Sequence, residues 1–133
     1  MGKSMKERLI FLSELRDCLT KENIYTPIHI FGGLEPLMTP LYFMAGADIF
    51  DGLSWLRYAF TPVGSQYEQG HLAIEHPEAN LQTASLQQRQ INMAIITKLE
   101  ASMRCLIDGD SISSAFGESG SHIERVWNRV WQK

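Results

Sequence analysis

The chain has 133 residues, 44% of them hydrophobic and 20% charged, with a formal net charge of −3. That is ordinary composition for one globular domain, and it excludes a nucleic-acid footprint built on bulk positive charge. No apolar run approaches the roughly 20 residues a membrane span needs. The apolar cluster from Leu9 to Leu12 is too short for a secretory signal and runs straight into Glu14, Arg16 and Asp17, so a cytoplasmic protein without a membrane partner is expected.

Ser4 to Thr20 reads as an amphipathic helix. Ser4 is placed to cap it, with Glu7 three residues on in a capping-box pattern. Leu9, Leu12, Leu15 and Leu19 recur at spacings of three and four and form one apolar face. After a turn, Pro27 opens "PIHIF", a short β-branched and aromatic run that reads as a buried strand ended by Gly32 and Gly33. In "EPLMTPLYFMAG", Glu35 suits a helix N-terminus, where negative charge is favoured. Pro36 suits the first turn, Pro40 is tolerable only if it also lies there, and Gly46 fits the residue just past the C-cap. "ADIF" then reads as a second strand, with Asp51 at its end. Two strands joined by a helix make a parallel βαβ unit.

"GLSWLRYAF" reads as helical, and residues 61–79, with Pro62, Gly64, Gly70 and Pro77, as loop. Gln88 to Ile107, extending back towards Asn80, is a long helix ended by Gly109. Its stripe of Ile91, Ile95, Leu99, Met103 and Ile107 reads as core packing. "SGSHIERVWNRVW" is a last helix, capped by Ser119 or Ser121, with Ile123, Val126, Trp127 and Val130 inward. Cys18 and Cys105 lie far apart in apolar helical settings and read as buried thiols. With no CxxC pair and no Cys/His array, no zinc site is expected.

The chemistry concentrates at the two strand ends. In parallel α/β sheets ligands bind beyond the carboxyl ends of the strands, and in (β/α)8 barrels the active site lies on that face. Gly32 and Gly33 there would let a flat ligand approach the backbone. For Asp51 two roles stand open: a nucleophile, general base or metal ligand, or simply the N-cap of the helix beginning "GLSW".

Residues 27 to 60, "PIHIFGGLEPLMTPLYFMAGADIFDGLSWLRYAF", resemble the late barrel segment of the guanine transglycosylase family. These enzymes exchange guanine in tRNA for a 7-deazaguanine precursor of queuosine or archaeosine, and one branch acts on DNA. The resemblance rests on His29-Ile30-Phe31-Gly32, Pro36, Gly46 and Asp48-Ile49-Phe50-Asp51 in ungapped register. "HIFG" and "YAF" are closer to the archaeosine type. "ERLIFLSELRDCL" and "INMAIITKLEASMRCLIDGD" are similar to flanking helices of the family.

The resemblance implies an α/β fold: a partial TIM (β/α)8 barrel comprising the last two βα units (residues 1–60), a loop (61–79) and a C-terminal helical segment (80–133). It implies base exchange through a covalent glycosyl–aspartate, with Asp51 as nucleophile and no cofactor. Phe31, Gly32 and Gly33 would floor the base pocket. His29 would stand near it, or else be a histidine buried in the strand layer. Asp48 is a structural motif residue, and Arg57 is either a phosphate contact or a solvated surface residue. The family's acid/base aspartate, its base-reading glutamate and its Cys/His zinc ligands have no counterparts here. Ile91 stands where the zinc histidine would be, and "GGL" at 32–34 is not the family's base-reading motif. The implied partners are tRNA or DNA, a 7-deazaguanine base, and the rest of the barrel on another chain or a second copy. The alternative is a non-catalytic, degenerate accessory subunit.

Overall fold

The computed structural model describes residues 3–62 and 64–132. Helix α1 (Met5–Lys21) begins as its sequence dictates. Ser4 Oγ accepts from the Glu7 amide at 3.2 Å. Glu7 Oε2 reaches back to the amide of Lys3 at 2.6 Å, one residue before the capping serine. Leu9 and Leu12 are buried on its inner face, with Leu15 and Leu19 at the border.

Strand β1 (His29–Ile30), helix α2 (Met38–Met44) and strand β2 (Ile49–Phe50) form the expected parallel βαβ unit, with His29 opposite Ile49 and Ile30 opposite Phe50. Both strands are shorter than "PIHIF" and "ADIF" suggested. Backbone bonds prolong the ladder at each end, from Asp48 and Ile49 amides to Ile28 O and from the Leu34 amide to Asp51 O. The Glu35 carboxylate caps α2 by accepting from the amides of Leu37 and Met38 through Oε2, at 2.9 and 2.8 Å. Pro40 falls within that first turn, where its missing N–H removes no helical bond. Ala45 is the C-cap and Gly46 follows it at φ +105°.

Beyond β2 the structure departs from expectation. "GLSWLRYAF" is not a helix. A single 3-10 turn (Ser54–Leu56) leads into strand β3 (Tyr58–Thr61). The stretch 61–79 is not loop: it holds strand β4 (Gly64–Tyr67), antiparallel to β3, and helix α3 (Glu68–Glu75). Helix α4 (Leu81–Ile107) starts at Asn80, whose side chain accepts from the Gln82 and Thr83 amides. Helix α5 (Ile112–Phe116), capped by Ser111, was not foreseen. Helix α6 (Gly120–Trp131) follows a short 3-10 turn. Ser119 stands at its N-cap position, but its hydroxyl donates to Pro62 O at 2.8 Å instead of capping.

The main core joins α1, β1, α2, α4, α5 and α6 through Leu9, Leu12, Ile30, Leu41, Tyr42, Leu99, Phe116, Ile123 and Val130. A second packing unit sets Ala59 and Phe60 of β3 and Leu72 of α3 against the N-terminal half of α4. The stripe expected on α4 is rotated. Ile91 and Ile107 are exposed, while Ala84, Gln88, Asn92, Leu99 and Ser102 are buried. Cys18 is exposed and Cys105 half-buried, so neither thiol is in the core.

The architecture is thus mixed α/β and mainly helical, with one parallel and one antiparallel pair of strands and no closed barrel among the described residues. No helix among them is long and apolar enough to cross a membrane.

Candidate active site

The loop between β1 and α2 is fastened on several sides, which fixes what stands at the strand ends. Gly32 adopts φ +68°, a left-handed conformation that glycine enters without the steric cost a side chain brings. A Cβ on Gly33 would lie 2.6 Å from Ile30 Cγ2, so only a hydrogen fits beside the strand. Thr39, in the first turn of α2, donates its hydroxyl to Gly33 O and accepts from the Glu35 amide, both at 2.9 Å. Ser54 donates to Leu34 O at 2.5 Å. The roles of Thr39 and Ser54 were missed from the sequence. The available signal was a hydroxyl side chain a few residues after each strand-end motif.

Asp51 follows β2 and turns its side chain back across the strand ends instead of capping the next turn, whose N-cap residue is Leu53. Its Oδ1 accepts from the amide of Gly32 at 2.6 Å. Its Oδ2 lies 3.4 Å from His29 Nε2, inside ion-pair range but without hydrogen-bond geometry. The side chain keeps 52% of its surface open to solvent. The N-cap role is therefore excluded, and the carboxylate is oriented yet accessible.

His29 and Phe31 stack, with ring centroids 4.1 Å apart and planes inclined by 36°. Phe31 is 80% exposed, so an aromatic surface stands free next to the glycine loop and the carboxylate. His29, Phe31, Gly32 and Asp51 therefore come together, while Gly33 packs against Ile30 and is held by Thr39. Of the other residues singled out, Arg57 is exposed between the 3-10 turn and β3. Glu35 serves α2 and also accepts from Ser65 Oγ at 2.8 Å, which ties hairpin β3–β4 to the βαβ unit.

Asp48 has a structural role. Its Oδ2 accepts from the Ile28 amide at 2.7 Å and pairs with Arg16 of α1. Arg16 also donates to Gly46 O at 2.9 Å and to Thr26 O at 3.2 Å. One guanidinium thus clamps the segments entering both strands. Among the described residues no group of three His, Cys, Asp or Glu side chains is placed to hold a metal ion.

Chemically, the arrangement offers an exposed carboxylate held by one strand-end amide, an imidazole beside it, and a free aromatic face. Compared with protein-family models, with curated proteins and with solved structures, the chain matches none.

Proposed function

We propose that this chain carries the nucleophile half of a guanine transglycosylase-like site, one that exchanges guanine for a 7-deazaguanine in tRNA or DNA. The observation that carries the reading is Asp51: half exposed at the end of a parallel strand, oriented by the Gly32 amide, beside the free face of Phe31. The resemblance of residues 27 to 60 supports the same residue in the same role.

In this reading a planar base stacks on Phe31 above the glycine loop, and the ribose lies over Asp51. An Asp51 oxygen forms a bond to C1′ while the C1′–N bond breaks. The electron pair leaves with the base, which takes a proton from an acid contributed by the rest of the barrel. The aspartate charge stabilises the positive character that develops at the anomeric carbon. The incoming base then gives up a proton to the conjugate base of that acid, attacks C1′ and releases the carboxylate.

The βαβ unit is the late part of a barrel in this proposal, completed by another chain, by a second copy or by further protein. The outer edges of β1 and β2 carry no strand among the described residues, and such edges are ready to pair. Base exchange is tested by supplying labelled guanine to tRNA and to duplex DNA. The chain is assayed alone and with the product of the adjacent reading frame. Exchange that needs Asp51 is the expected result; an active mixture in which Asp51→Ala equals wild type overturns the assignment.

A second reading, a non-catalytic accessory subunit, is favoured by the exposure of Ile49 together with Phe31 at the open sheet, surfaces suited to a protein neighbour. It predicts a stable complex with that neighbour that is indifferent to Asp51→Asn and shows no exchange.

A further inference from the structure

We propose that His29 is the positioning residue of the Asp51 carboxylate, not a contact to the base. This deepens the base-exchange reading above and rests on it. Each Asp51 oxygen is faced by one group from the end of β1: Oδ1 by the Gly32 amide at 2.6 Å and Oδ2 by His29 Nε2 at 3.4 Å. Nε2 is buried and has no hydrogen-bond partner. A buried ring nitrogen without a partner is uncommon, because polar groups taken out of water are nearly always paired. The acceptor that stands next to it is Asp51, a few tenths of an ångström beyond ordinary hydrogen-bond length. Phe31, stacked at 4.1 Å, limits the imidazole's freedom to turn away.

The geometry also decides what His29 does not do. A leaving base departs from the side of the anomeric carbon opposite the attacking oxygen. Nε2 lies on the attacking side, beside Oδ2, so it is badly placed to protonate the departing nitrogen. It faces Oδ2 from 3.4 Å, and a small turn of either side chain brings it into donating geometry. With Gly32 on one oxygen and His29 on the other, the plane of the carboxylate is set before substrate arrives. The same two donors draw off charge when Asp51 must leave again, as exchange, unlike a single capture, requires.

The test has two parts. Imidazole 15N spectra of the wild-type chain and of Asp51→Asn need no turnover. His29 should carry its proton on Nε2, and its Nε2 signal should move when the carboxylate is replaced. In the complete exchanging assembly, His29→Leu should lower kcat about 10–100-fold, the size of losing one charge-assisted hydrogen bond, with KM for the nucleic acid unchanged. His29→Gln, which keeps a donor at nearly the same reach, should restore most of that loss, and thermal melts should show that both variants fold.

An Nε2 signal indifferent to Asp51→Asn overturns the proposal, as does a His29→Leu effect confined to KM. In either case Asp51-dependent exchange would leave the base-exchange reading standing. Coupled His29 and Asp51 signals without exchange in any mixture would instead sink that reading, and the catalytic role of His29 with it.

Discussion

The amide of Gly32 meets Asp51 Oδ1 at 2.6 Å across the ends of two parallel strands. That bond separates stability from chemistry at this position. Asp51→Asn keeps an oxygen for the amide and should shift unfolding by under about 0.5 kcal/mol, as a half-exposed site allows. Asp51→Ala removes the acceptor and should cost about 1 kcal/mol. On the base-exchange reading proposed above, both should also abolish exchange, because neither side chain can form the glycosyl ester. Urea melts and the labelled-guanine assay measure the two effects separately.

Asn92 is 1% exposed and uses all of its hydrogen-bonding capacity. Its Nδ2 donates to Trp55 O at 2.8 Å and Tyr58 O at 2.7 Å, and its Oδ1 accepts from the Phe60 amide at 2.9 Å and Gln88 Nε2 at 3.0 Å. Asn92→Leu fills the space yet strands the buried Phe60 amide and the part-buried carbonyls of Trp55 and Tyr58, so a loss of about 2–3 kcal/mol is expected. Chemical denaturation gives the size. Amide exchange at Phe60 should quicken more than exchange at Ile30, in the other packing unit.

Arg16 serves Asp48, Gly46 O and Thr26 O at once, which requires a planar fork of donors. Arg16→Lys keeps the charge but cannot span the three acceptors. It should cost about 1–2 kcal/mol, and the Ile28 amide, held by Asp48, should exchange faster. A variant with unchanged Ile28 protection would show that the clamp is not what holds the segment.

Gly46→Ala should be among the more damaging single-methyl changes. The position has φ +105°, and a Cβ there would lie 2.7 Å from Arg16 Cβ. Backbone strain and displacement of the arginine add, so a loss above about 1 kcal/mol is expected. Combining it with Arg16→Ala should relieve only the contacts to Arg16 Cγ and Nε, because alanine keeps the obstructing Cβ, so the cost should fall little below the sum.

The βαβ unit was legible because its punctuation is local: Glu35 and Gly46 act within a few residues of where they stand, as Ser4 does for α1, although Pro36 falls just before α2 and not in its first turn. The strand-end placement of Asp51 was legible for the same reason. What the carboxylate binds was not, since Gly32 is nineteen residues away and is reached only through pairing of β1 with β2. Hairpin β3–β4 was missed because "WLRYAF" satisfies helical and strand spacing alike, and tertiary pairing decided between them. The rotation of α4 escaped because its inner face carries Gln88 and Asn92. Polar residues count against burial in any hydrophobic pattern, and only the unpaired edge of β3 makes them welcome inside.

Helix α4 runs for 27 residues, about 40 Å, and takes part in both packing units. Its first half receives the hairpin through hydrogen bonds and its second half enters the apolar core through Leu99. The rod therefore behaves as a shared beam: a strain that tilts one end is felt at the other, and neither half of the molecule can come apart without loosening the timber on which its neighbour rests.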